Sequence, residues 1–231
     1  MRRRVLITGF EPYGDWSSNP SADVASALHE HQSATLTITS AVLPVVLENL
    51  RARIEALLDA HAPDVVICLG LHPGAATLRV ERVGLNVADF VRPDNAGEQT
   101  RNAELVAGAP HALPASIPVH TIVASQLERG IPATVSNSAG TYLCNAALYQ
   151  SLHIAATRTA KPLCGFIHLP FSPAQVARLM GGGASDSASG AAPGQDVIAS
   201  MHITDMCEGV RIAAEIAAAA VCSTSEQMTH A

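Results

Sequence analysis

The stretch VVICL, Val65 to Leu69, is apolar at every position. A half-exposed strand alternates apolar and polar side chains, whereas a short continuous run reads as a strand buried on both faces, the habit of parallel sheets covered by helices. The segments before it fit that reading. Val5 to Thr8 is a short apolar run ended by Gly9, and Asn19 with Pro20 supplies a helix cap and a first helical position, with the helix expected to reach about Glu30. Leu36 to Leu43 reads as a strand. Pro44 then opens an expected helix with Val46, Leu47, Leu50, Ile54, Leu57 and Leu58 on one stripe, so the first seventy residues read βαβαβ.

Beyond Leu69 the pattern changes. From Thr77 to Phe90 apolar residues come near alternation (Leu78, Val80, Val83, Leu85, Val87), which predicts an antiparallel ribbon emerging from the sheet. Ile117 to Val123, Ala133 to Val135 and Leu163 to Leu169 are expected strands; 141–157, 173–180 and 196–221 are expected helices. The fold class predicted is α/β, a three-layer α/β/α sandwich around a mixed sheet, formed by a single domain over 1–231. Residues 181–195, GGGASDSASGAAPGQ, read as a flexible loop. They lack the Lys-Ser/Thr ending and the strand-to-helix context of a phosphate-binding loop.

Composition narrows the function classes. Of 231 residues 48% are hydrophobic and 15% charged, with a mean hydropathy of +0.23. No apolar run approaches the roughly 18 residues of a membrane span. A net charge of -6 with no basic cluster beyond Arg2 to Arg4 argues against nucleic acid. The apolar run Val5 to Ile7 is far short of a signal-peptide core, so a cytoplasmic protein is expected. Five cysteines with no CxxC pair suit a reducing compartment and offer no zinc spacing, so neither metal nor cofactor is expected.

The chemistry centres on SNSAGTYLCNAALY, Ser136 to Tyr149. A turn of small residues, with Ser138 or Thr141 available as an N-cap, leads into a helix expected from near Thr141, carrying Leu143, Ala147, Leu148 and Leu152 at helical spacing. Cys144 falls in its first turn. The positive end of a helix dipole favours thiolate over thiol, so Cys144 is the candidate nucleophile, against the plainer reading of one more buried small residue. The other cysteines lack such a setting. Cys68 and Cys164 lie in apolar strands and are expected to be inert core, while Cys207 and Cys222 belong to the last helix.

A nucleophilic cysteine needs a base. Of ten histidines, His168 ends the apolar strand Leu163 to Ile167 and precedes LPFSP. Sites of open α/β sheets lie at the carboxyl ends of strands, within reach of helix starts. For an orienting carboxylate the residues leave Glu81, Asp89 and Asp94 open.

Four blocks in order, LITGFEPYG with SNPS (6–21), VERVGLNV with PDNAGEQ (80–99), SNSAGTYLCNAALY (136–149) and GFIHLPFSPAQ (165–175), resemble the pyroglutamyl peptidases, the pyrrolidone-carboxylate peptidase family of cysteine peptidases. The resemblance implies a Glu81, Cys144 and His168 triad, a central twisted sheet of phosphorylase/hydrolase-like type, no metal or cofactor, and often a homotetramer. It implies a reaction, hydrolysis of an N-terminal pyroglutamyl residue from peptides through a thioacyl-enzyme. It also implies a lactam pocket around Phe10, Tyr13 and Tyr142, with Leu143 beside the nucleophile. Two positions depart from the family pattern. Leu71 stands where glutamine is common, and Arg92 directly precedes Pro93 where an apolar residue usually intervenes, which leaves the second oxyanion donor open. Two alternatives are a nucleoside-phosphorylase-like enzyme on the same architecture, and a non-catalytic binder or redox sensor that keeps a reactive Cys144.

Overall fold

The computed structural model of the chain describes residues 2–14, 16–181 and 198–228, with side chains described as far as residue 221. The first half follows the βαβαβ reading: β1 (Arg3–Phe10), α1 (Pro20–Ala27), β2 (Leu36–Leu43), α2 (Leu50–His61) and β3 (Val65–Leu71). Then come β4 (Leu78–Glu81), β5 (Val83–Leu85), β6 (Ala112–Pro114), α3 (Val119–Glu128), β7 (Ala133–Ser136), α4 (Leu143–Thr157), β8 (Leu163–Leu169), α5 (Pro173–Met180) and α6 (Ile203–Met228). Six strands form one sheet in the order β2-β1-β3-β8-β4-β7; β5 and β6 form a two-stranded ribbon beside it.

The sheet is mixed because of one junction. β2, β1, β3 and β8 run parallel, β4 pairs antiparallel with β8, and β7 follows β4 in parallel. That reversal matters for the site: it sets Arg79 opposite His168 and Glu81 opposite Phe166. Successive strand residues face opposite sides. Val5, Ile7, Ile67, Leu78, Val80 and Ile167 therefore join one core with α1, α3 and α6, while Leu6, Val66, Cys68, Cys164 and Phe166 join another with α2 and α4. These are the three expected layers.

Local chemistry sets the element ends. Asn19 caps α1 by accepting from the Ser21 N–H at 3.1 Å, with Pro20 in the first turn. Ser172 and Gln175 make a capping box at α5. A Cβ on Gly9 would lie 2.2 Å from the Ser21 carbonyl oxygen, so the end of β1 and the start of α1 approach as closely as they do only with glycine there.

Four expectations change. α2 begins at Leu50 rather than Pro44, because the preceding backbone is engaged elsewhere: the Val45 N–H donates to Glu11 Oε1 and the Leu47 N–H to Asp94 Oδ2. Residues 117–123 are not a strand. Val119 starts α3, whose Ile122 and Val123 are buried against the sheet and α6, and tertiary burial overrides the β preference of branched residues. The ribbon expected over 77–90 divides, β4 entering the main sheet and β5 alone leaving it. The last helix starts at Ile203, after Met201 has bonded to the Phe171 carbonyl. The loop expected over 181–195 lies, apart from Gly181, outside the described residues, and so does the side chain of Cys222.

Candidate active site

The site lies on the α4 side of the sheet, where β3, β8 and β4 meet. His168 and Glu81 are 3% and 0% exposed, and His168 Nδ1 lies 2.8 Å from Glu81 Oε1. A carboxylate only accepts, so Nδ1 carries the proton and Nε2 is left as the base. Of the three acids left open by the residues alone, Glu81 is the one on the imidazole. Asp94 instead accepts from the Leu47, Ala96 and Glu98 N–H groups, and Asp89 accepts from Asn102.

Cys144 reaches the same place from α4. Leu143 is the first helical residue and Tyr142 the N-cap, with no side-chain cap bond. The expected caps serve the turn instead: Thr141 Oγ1 donates to the Asp89 carbonyl at 2.7 Å and Ser138 Oγ accepts from Gly140. Asn145, fully buried, pins the first turn of α4 to the ribbon, accepting from Leu85 N–H and donating to the Leu85 and Val87 carbonyls. Cys144 Sγ then sits over Gly70, where a Cβ would lie only 2.7 Å from the sulfur and 2.8 Å from Phe166 Cζ. Gly70 is the register partner of His168. The sulfur is therefore set above the strand position beside the imidazole.

The electrostatics correct one expectation. The helix start alone favours thiolate, yet burial, the Glu81 charge and Cys68 push the Cys144 thiol up to about 12, against a backbone hydrogen bond that lowers it. Burial likewise depresses His168, opposed by the hydrogen bond and charge of Glu81, with His72 and Arg79 adding to the depression. Both shifts act against the charged pair of thiolate and imidazolium. Burial also raises Cys68 and Cys164, as befits inert core.

Beside the sulfur opens a small pocket lined by Phe10, Tyr13, Asn19, Val45, Leu71, Tyr142, Leu143 and Cys144. Five of the six expected pocket residues are there. Tyr13 and Tyr142 face each other with ring centroids 6.1 Å apart, Phe90 buttresses Tyr142 at 4.6 Å, and the Tyr142 hydroxyl donates to the Pro93 carbonyl. Arg92 does not line the pocket; it passes close to Gly14 and acts on Tyr13 and Tyr142 only through its charge. Phe166 lies beneath His168, and Phe171 belongs to a separate cluster with Trp16.

Sequence reasoning missed Gly70, Asn19, Val45, Asn145 and Arg79. Asn19 was read only as a cap, and Arg79 was legible in the alternation that puts it on the same face as Glu81. Among the described residues no group of three or more His, Cys, Asp or Glu side chains is placed to hold a metal ion, and no helix is long and apolar enough to cross a membrane.

Comparison with known proteins follows the same lines. A family model described as pyroglutamyl peptidase matches residues 3–220. Pyrrolidone-carboxylate peptidase of Pyrococcus furiosus is 39% identical over 180 residues, which cover 78% of this chain and 86% of that protein. The Streptomyces coelicolor protein of the same name is 44% identical over 174 residues, covering 75% and 80%. Among solved structures, pyrrolidone carboxyl peptidase from P. furiosus superposes with a TM-score of 0.86 at 36% identity, covering 94% of this chain and 99% of that one. Pyroglutamyl peptidase I from Bacillus amyloliquefaciens gives a TM-score of 0.84 at 30% identity, with 94% and 96% covered. These relatives lend no support to a phosphorylase or a non-catalytic binder.

Proposed function

The chain belongs to the pyroglutamyl peptidase family, and from that premise we infer a cysteine peptidase that removes N-terminal pyroglutamate from peptides, with Cys144, His168 and Glu81 as its catalytic groups. The observation that carries the assignment of roles is the buried 2.8 Å contact between His168 and Glu81 beside Gly70, with the Cys144 sulfur packed over that glycine at the wall of an apolar pocket.

The chemistry follows from those positions. A pyroglutamyl ring is flat, uncharged and small, and a slot walled by Phe10, Tyr13, Leu71 and Tyr142 excludes water around it while leaving the exocyclic carbonyl at the sulfur. His168 Nε2 takes the thiol proton as sulfur attacks that carbon. Proton transfer and attack are coupled, because burial makes a free thiolate costly at rest. Glu81 holds the ring by Nδ1–H and stabilises the imidazolium. As the second helical residue, Cys144 has a backbone N–H with no acceptor in the helix ladder, which makes it a candidate donor to the oxyanion. The imidazolium then protonates the departing amine, leaving a thioester. Water, deprotonated by the same imidazole, attacks the thioester and releases free pyroglutamate and the thiol.

Leu71 supports the pocket through packing, so any lactam contact at this position comes from its backbone. We assign Arg92 to the mouth, where its charge faces Tyr13 and Tyr142, rather than to the oxyanion. A homotetramer is the assembly the resemblance implies, and sedimentation of the full chain measures it. The reading of the reaction is tested with a pyroglutamyl-coumarylamide substrate under reducing conditions. Wild type turns it over without added phosphate, and Cys144→Ser loses on the order of 10⁴-fold in kcat. Turnover that survives Cys144→Ser, or that requires phosphate, overturns it.

A further inference from the structure

We propose that Arg79 is a positioning residue of the triad, a fixed cation that anchors the Glu81 carboxylate and balances the charge of the thiolate and imidazolium form. The proposal rests on the roles given above to Cys144, His168 and Glu81.

The geometry is specific. Arg79 and Glu81 lie two apart on β4 and so share a face, and Arg79 is the register partner of His168 across β8. Arg79 Nε stands 3.8 Å from the same Glu81 oxygen that receives the imidazole, and its other arm, Nη2, donates to Ser136 Oγ at 2.8 Å. Ser136 is the register partner of Glu81 and the last residue of β7, from which the turn leads to Cys144. One guanidinium thereby joins the carboxylate to the segment that carries the nucleophile. The remaining carboxylate oxygen, Oε2, is buried with no hydrogen-bond partner among the described residues. His168 and Arg79 are thus the polar support of this carboxylate.

Charge counting gives the function. In the attacking form the site holds two negative groups, Glu81 and Cys144, and one positive, His168. A net negative charge in a buried site is costly, and an arginine, always protonated, cancels it. The other charged or titratable groups facing the triad do not substitute for it. His72, just past β3, meets His168 edge-on with ring centroids 5.3 Å apart; Cys68 lies below on β3; Arg92 stands outside, against the tyrosines. Arg79 already depresses the His168 pKa from its own strand.

Removing a fixed cation makes its neighbours hold their protons more tightly, so the sign is the same for thiol and imidazole. The test measures two pH curves: kcat/KM on the pyroglutamyl amide, and the rate of iodoacetamide alkylation of Cys144 followed by mass spectrometry of its peptide. Arg79→Gln is expected to move both curves to higher pH by about one unit, hence roughly tenfold slower on the acid limb with recovery at alkaline pH. Arg79→Lys restores their position, and Ser136→Ala shifts them the same way by less. A lowered plateau with unmoved midpoints, or a lysine variant that restores nothing, overturns the proposal. Should Arg79→Gln fail to fold, an unmoved curve in Ser136→Ala overturns it. Were wild type inactive on the amide, the reading of function would fall while the alkylation curves still judged Arg79.

Discussion

The two faces of the central sheet are made by alternate residues of the same strands, yet they are built for different ends. Toward α1, α3 and α6 the strands present an apolar cluster that includes Val5, Ile7, Ile67, Leu69, Val80 and Ile167. Toward α2 and α4 the same strands present Thr8, Cys68, Gly70, Arg79, Glu81 and His168 near one end. The first face holds the fold together. The second gives up apolar packing at the strand ends, and buried polar atoms gather there, among them Glu81 Oε2, which has no hydrogen-bond partner among the described residues. Neighbouring residues therefore differ in whether their loss is felt as stability or as rate.

The largest separation is expected within β4. Glu81→Gln keeps the volume but removes the carboxylate that fixes the imidazole, so kcat should fall about 10³- to 10⁴-fold with little change in melting temperature. Val80→Ala, one residue away and facing the other core, should leave kcat near wild type and lower stability by about 2 kcal/mol. Steady-state kinetics and denaturant melts of both variants check this. Equal effects on rate from the two would show that the faces are not separable.

A smaller contrast uses two glycines of neighbouring strands. Alanine at Gly70 meets Cys144 Sγ at 2.7 Å and Phe166 at 2.8 Å, so Gly70→Ala displaces the nucleophile; a displacement of about 1 Å costs on the order of 100-fold in kcat/KM. Alanine at Gly165 instead meets Ile117 Cδ1 at 2.1 Å on the opposite face. That strain is felt as overpacking, about 1 to 3 kcal/mol of stability, with turnover retained. Loss of turnover in Gly165→Ala with Gly70→Ala unaffected would reverse the assignment of faces.

How much of this was legible in the chain depends on the range of the interactions. β2 and β8 have the ends expected from their apolar runs, and local position, a helix start and a strand end, made Cys144 and His168 candidates, with the family resemblance naming them as a pair. Where local pattern fits two periods it fails: Ile117, Val119, Ile122 and Val123 suit a strand as well as a helix, and only packing against α6 decides. The carboxylate was equally out of local reach. Glu81, Asp89 and Asp94 look alike in sequence, and what selects Glu81 is the antiparallel pairing of β4 with β8, a contact across 87 positions. The thiol's raised pKa was missed for a related reason. A helix start is visible in sequence, but burial by distant residues is not, and here burial wins.

The smallest expected effect follows from that burial and appears at alkaline pH. Cys68, Cys144 and Cys164 all belong to the site-side core, and burial raises each above the ordinary thiol value, Cys144 to about 12. In the unfolded chain these thiols ionise near 9, while in the folded chain they keep their protons. Below that pH both states bind the same protons and nothing is lost. Above it the unfolded state binds fewer, so stability declines as pH rises toward the folded values, by at most about 1.4 kcal/mol per pH unit for each thiol. Cys164→Ala should flatten the decline of stability between pH 9 and 10.5 by about one thiol's share, whatever it costs at neutral pH. Cys207→Ala, on the half-exposed side chain of α6, should flatten it less. Guanidinium melts under reducing conditions give the slopes; identical slopes for wild type and Cys164→Ala would show that this thiol ionises alike in the folded and unfolded chain, and that the site-side core is wetter than its packing implies.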